Sequence, residues 1–195
     1  IGTIERGGCV GELALIRSLG AAFEPGDVML ADALYCNYFL IASLARANID
    51  VLFEQNGARI TDFRQGQTLG VRDHIVHWPK PKTRPEWMTL EQYQAFPAEL
   101  RLRETRTDHQ VLVTTMLDRR KASKADLAEL YARRWNVELD LRNIKTTMGM
   151  EVLHCLTPEM NEKELWVHLL AYNLIRLLMA QAASDAGVDP RTISF

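Results

Sequence analysis

Only three of the 195 residues are cysteine, and Cys9, Cys36 and Cys155 are an odd number, far apart, with no CxxC pair. That excludes a regular disulfide framework and points to reduced thiols in a cytosolic protein. The first residues do not read as a signal peptide. No run is long and apolar enough for a bilayer. The most apolar stretch, LWVHLLAYNLIRLLMA at 165–180, is interrupted by His168, Asn173 and Arg176, and its shortness and polarity predict a buried helix instead. Repeats and low-complexity tracts are also lacking. Neither sign of charge dominates: 23 Lys and Arg against 25 Asp and Glu leave a net charge of −2, so overall charge carries no mark of a polyanionic partner. What is present is ample core material. Hydrophobic residues make up 47% of the chain, enough for one domain of this length, with room for an insertion.

Charge is uneven only locally. Residues 118–149 hold eight Lys and Arg against five Asp and Glu, and Arg119, Arg120, Lys121 and Lys124 come first. Such a run by itself reads as a solvated face. Along the chain, 10–22 has helical spacing and ends at a PGD turn. VMLA at 28–31 predicts a buried strand that delivers Asp32 at its carboxyl end. A helix over 37–48 and a second buried strand over 50–55 complete a βαβ unit, which predicts a largely parallel sheet. Between 56 and 108 the pattern changes to short alternating strands, with a loose proline-rich connection at 79–97. A buried strand returns at 110–117. A long helix capped by Ser123 then runs to about Met148, and a last helix spans about Asn161 to Ala183.

The long helix carries the chemistry. Leu130, Val137, Leu141, Ile144 and Met148 form its apolar stripe. Tyr131, Arg134, Glu138 and Lys145 fall within about a 60° arc at about 100° per residue, displaced from that stripe by about 80°. Geometry alone allows an ordinary amphipathic border with an Arg134–Glu138 ion pair. Asp32 has a case of its own, since the carboxyl ends of strands are where open α/β sheets place ligands. Asp118 also follows an apolar strand, but DRRK reads as an exposed turn. His74 and His77 have a spacing seen in metal sites, but on an alternating strand they point to opposite faces and do not form a metal pair.

The spacing Y-x2-R-x3-E-x6-K, preceded by LYARRW, resembles the signature of the DDE transposases of bacterial insertion sequences, in the IS-four group. VLVTTML, MGMEVLHCLTPE with KELWVHLLAYNLIR, and VMLADALYCNYFLIASL resemble the flanking strand, the closing segment and the region of the second catalytic aspartate. The resemblance implies an α/β, RNase H-like core over 1–55 and 109–195, with a small β-rich insertion at 56–108 between the second Asp and the Glu. It implies a two-metal Mg²⁺ site, Mn²⁺ substituting, with Asp32 and Glu138 as catalytic metal ligands. Tyr131, Arg134 and Lys145 would contact transposon-end DNA, and Trp78 or Trp87 could stack on a flipped base. The implied activity is cut-and-paste cleavage and strand transfer on double-stranded DNA by a homodimer in the bacterial cytoplasm, at the nucleoid and without a membrane. No acid before Asp32 ends a suitable strand, so the first catalytic aspartate is expected upstream of Ile1 and this fragment is expected to be inactive alone. The alternatives are a DNA-binding remnant or regulatory truncation without catalysis, and a nuclease of the same fold that does not transpose.

Overall fold

The computed structural model describes residues 11–195 and divides at Ala132/Arg133 into two compact units. In the first, helix α1 (Glu12–Ser18) continues as a 3₁₀ turn, Leu19–Ala22. Strand β1 (Val28–Ala31), helix α2 (Tyr38–Arg46) and strand β2 (Asp50–Glu54) follow as the expected βαβ unit, with β1 and β2 parallel. Asn37 starts α2 by accepting the Leu40 N–H at 3.0 Å, which satisfies one of the amides a helix leaves open at its start.

Strands β3 (Gln67–Gly70), β4 (Asp73–Pro79), β5 (Glu99–Arg106) and β6 (Val111–Thr114) complete one six-stranded sheet in the order β1-β2-β6-β5-β4-β3. Only β1 and β2 are parallel; the other four pairings are antiparallel. The largely parallel sheet expected from the βαβ unit is thus corrected to a mixed one. The reason is that short turns join β3 to β4 and β5 to β6, and a short turn can only return a strand antiparallel. Segment 56–108 shares this sheet through β5, which pairs with both β4 and β6. Its proline-rich connection also contains a short helix, α3 (Leu90–Ala95), started by a Thr89–Gln92 capping box.

Each face of the sheet has a core, as the alternation of β2 requires. Val51 and Phe53 pack with Ile41, Leu102 and Val113 on one side. Leu52 packs with Leu112, Ala122, Leu127 and Tyr131 on the other, under helix α4 (Lys124–Ala132). β5 also buries charge on both faces. Arg103 is fully buried, donates to both Asp73 carboxylate oxygens at 2.7 Å and reaches the Ala122 carbonyl at 2.6 Å. Glu104 accepts from Trp78 Nε1 at 2.7 Å and pairs with His74 Nε2 at 3.1 Å. A buried ion pair is tolerated only with its remaining hydrogen bonds made, as they are here.

The second unit contains helix α5 (Arg134–Arg142), a π-helical turn (Asn143–Thr147) and helix α6 (Pro158–Ala186). Thr157 caps α6 at its start and Gly187, at φ 67°, ends it. The expectation of a buried final helix is corrected. Tyr172, Met179 and Ala183 are its buried residues, whereas Val167, Leu170, Leu174 and Leu177 are more than half exposed. At 29 residues it is also longer than the stretch read from the sequence, and by length and composition alone it could cross a membrane. Apolar core helices meet the same two criteria.

Candidate functional site

The helix expected to carry the Tyr–Arg–Glu–Lys row is not one straight helix. Arg133 is a turn residue between α4 and α5, with the Asn136 N–H bonding back to its carbonyl at 3.0 Å. Further on, the ladder widens to i→i+5, seen in the 2.9 Å bond from the Met148 N–H to the Asn143 carbonyl. A tightened turn and a widened turn both break the constant angle per residue on which the 60° arc depended. The apolar stripe is not buried throughout. Ile144 is buried, but Val137 and Leu141 are 58% and 45% exposed.

Within the first unit, Asp32 directly follows β1, as expected. It is exposed, and its Oδ1 accepts the Leu34 N–H at 2.9 Å, a local turn that orients the carboxylate. The last register pair of the parallel strands is Ala31 with Phe53, so Asp32 and Glu54 occupy equivalent positions at adjoining carboxyl ends. Glu54 was not singled out from the sequence. The signal was available: it ends the second buried strand of the same βαβ unit.

Tyr131 belongs to this unit as well. It is 5% exposed, packed against Leu52, Leu112 and Leu127, and its hydroxyl lies 3.4 Å from Glu54 Oε2. The ring expected on DNA is therefore turned into the core, because the α4 face that carries Leu127 also carries position 131, four residues on. Asp118 is half-buried and leads into the exposed turn that begins at Arg119. Its Oδ1 accepts the Arg120 N–H at 2.9 Å, and that bond holds its carboxyl below the usual range.

In the second unit, Arg134 and Glu138 form the i,i+4 ion pair through Nη1 and Oε1, both side chains partly exposed. The Arg134 guanidinium also lies 5.9 Å from the Trp135 ring centre. Lys145 sits in the π-helical turn with its side chain exposed. The unit is braced independently: Arg191 clamps Asp140 through two bonds of 2.8 and 3.0 Å. Burial raises the Asp140 carboxyl, and the hydrogen bonds of Arg191 and Tyr172 together with the Arg191 and Arg176 charges outweigh that and hold it low.

The donor chemistry suits a hard divalent cation, which takes carboxylate oxygens and completes its shell with water. Asp32 and Glu138 each offer such oxygens, but among the described residues no three of His, Cys, Asp and Glu gather as a metal-binding group. The aromatic candidates also separate. Trp78 is 4% exposed and engaged by Glu104, which removes it from base stacking. Trp87 is 49% exposed, with the Arg17 guanidinium 4.0 Å from its ring centre. His74 is buried between the Gln65 carbonyl and Glu104, while His77 is on the exposed face with Glu99.

Residues 9–174 match the family described as "Transposase DDE domain". The chain is 34% identical over 145 residues to the transposase InsG for insertion sequence element IS4 of Escherichia coli (strain K12), covering 72% of this chain and 32% of InsG. It thus spans about a third of the length of that relative. No solved structure matches.

Proposed function

The chain belongs to the DDE transposase family, and from that premise we propose that it forms part of a cut-and-paste enzyme that cleaves DNA at transposon ends and joins them to a target. Asp32 and Glu138 are its metal-binding carboxylates. β1, α2 and β2 belong to an RNase H-like core, with 56–108 as the insertion. The observation that carries the reading is Asp32, an exposed carboxylate at the carboxyl end of a parallel strand, in a chain whose later segment holds the Y-x2-R-x3-E-x6-K spacing.

Two divalent ions, when bound, activate the attacking oxygen and stabilise the leaving oxygen of an in-line phosphodiester displacement. The protein's own tasks follow from its side chains. The Leu34 N–H orients the Asp32 carboxylate through Oδ1. Arg134 restrains Glu138 and presents a planar fork suited to a phosphate, whereas Lys145 supplies a mobile point charge. Tyr131 works from beneath, holding Glu54 beside the strand end that carries Asp32. The enzyme acts as a homodimer on paired DNA ends in the bacterial cytoplasm, with Mg²⁺ or Mn²⁺.

The test uses the transposase carrying this chain, Mg²⁺ and a labelled transposon end. Asp32→Asn and Glu138→Gln should each abolish detectable cleavage while leaving end binding in place. Cleavage at the parental rate by either variant refutes its assignment as a metal ligand. End binding without cleavage by the unsubstituted protein would instead assign it a regulatory, DNA-holding role.

A further inference from the structure

A hollow of about 320 Å³ lies in the first unit between the β3–β4 hairpin and the loop joining β6 to α4, lined among others by Asp73, Arg103, Arg119, Ser123 and Lys124. Its charges are not equivalent. Arg103 and Asp73 neutralise one another through their paired bonds. Arg119 and Lys124 bond instead to backbone carbonyls, Arg119 to Leu69 and Lys124 to Val71 at 3.1 Å. Among the described residues neither has a carboxylate partner. A carbonyl fixes where such a cation sits without cancelling its charge, so both are held in place beside the hollow with charge to spare.

The rim extends the same sign. Arg72 is at the hairpin tip, its carbonyl accepting the Arg106 N–H at 2.9 Å, and Arg120 and Lys121 are exposed in the loop of Arg119. Arg120 pairs with Asp118 at 3.6 Å, whereas Arg72, Arg106, Arg119, Lys121 and Lys124 have no ion-pair partner among the described residues, in a chain whose net charge is −2. Asp118 also accepts the Arg120 N–H, and Asp126 accepts the Ser123 N–H. Arg72 also has φ 52°, in the left-handed region that a side chain disfavours and glycine takes freely. A strained arginine where glycine would fold better argues that the side chain is wanted there.

We propose that this hollow seats a backbone phosphate of duplex DNA on Arg119 and Lys124, with Arg72 and Arg106 meeting neighbouring phosphates. It is a holding surface separate in sequence from the signature residues. The proposal rests on the reading of DNA as the substrate. A single free phosphate would satisfy Arg119 and Lys124 but would leave the cations of the rim without a role, which favours a polyanion.

The experiment measures binding of a labelled random-sequence duplex to the whole chain between 50 and 200 mM salt, for the parent, Arg72→Gly and Arg119→Gln/Lys124→Gln. Each cation removed from a phosphate should lower the slope of log affinity against log salt by about 0.9, hence by about 1.8 for the double variant. Arg72→Gly should lower the slope by about 0.9 with a melting temperature equal to or above the parent's, which separates lost charge from lost fold. Unchanged slopes in both variants overturn the proposal. So does displacement of the duplex by inorganic phosphate at constant ionic strength, which would make the hollow a free-anion site. Catalytic failure of Glu138→Gln is read by cleavage and the phosphate seat by salt slope, so either reading can fail without the other.

Discussion

Replacing Asp73 by Ala should be among the most damaging single changes in the first unit. Arg103 is wholly buried and would lose both carboxylate bonds of 2.7 Å, keeping only the Ala122 carbonyl. Two hydrogen bonds to a charged group are worth about 1.5–3 kcal/mol each. The cost of breaking a buried pair by removing one partner is about 3–5 kcal/mol, because the remaining charge is stranded. At about 2–4 °C per kcal/mol for a chain of this size, the melting temperature should fall by about 6–20 °C. Urea titration followed by circular dichroism gives the free energy directly. The double variant Asp73→Leu/Arg103→Met serves as the control, since it removes both charges together and should recover most of the loss. A cost below about 1 kcal/mol for Asp73→Ala would refute the argument, for it would mean that Arg103 finds water or another partner and that the pair is not buried in solution.

Four further outcomes follow from other features. Burial pushes the Cys36 thiol up to about 11, so at pH 8 its thiolate fraction is on the order of one in a thousand. Alkylation timed by mass spectrometry should leave Cys36 intact until the protein unfolds. Gly66 has φ 76°, and a Cβ there would collide with the Ile75 carbonyl oxygen. Gly66→Ala should therefore cost well over about 1 kcal/mol in urea unfolding. The Ser123 N–H holds the Asp126 carboxyl below its ordinary value of 3.8, so its stabilisation of α4 is fully present above that value and is lost as pH falls through the lower folded value. Asp126→Asn should flatten the acid limb of a stability–pH curve. Leu174 is 54% exposed, and Leu174→Glu should change unfolding free energy by no more than about 0.5 kcal/mol while raising solubility.

The βαβ unit was legible because its strands are short, apolar and separated by a capped helix, and Asp32 stands where the pattern put it. The antiparallel strands of 56–108 were legible from alternation, but not that they extend the sheet of β1 and β2. That joining depends on β2 pairing with β6 across more than fifty residues, and such pairing leaves no local trace. The signature was legible as spacing and family context, and its geometry was not. A helical projection assumes one angle per residue, and the turn at Arg133 and the π-helical turn at Asn143–Thr147 are set by backbone hydrogen bonding that side-chain pattern does not encode. Tyr131 packs with Leu127 because the two lie one turn apart on the same face of α4. The burial of Arg103 and Glu104 was equally hidden, because consecutive charged residues put a charge on each face of the strand, which reads as solvated until both faces of β5 are covered.

The strand order also constrains how the first unit assembles. β3 to β6 are joined by turns and one loop, and each pairs with its sequence neighbour, so they can zip together one after another at low entropic cost. β2 must instead find β6, with Leu52 opposite Thr114, and closing that loop from an open chain is slow. Once the meander has formed, most of the intervening chain is already folded back, and the remaining search is short. The antiparallel strands are thus a folding template for the strand pair that bears Asp32, and damage to the meander, at Gly66 or Asp73, should slow the arrival of β1 and β2 before it alters anything they carry.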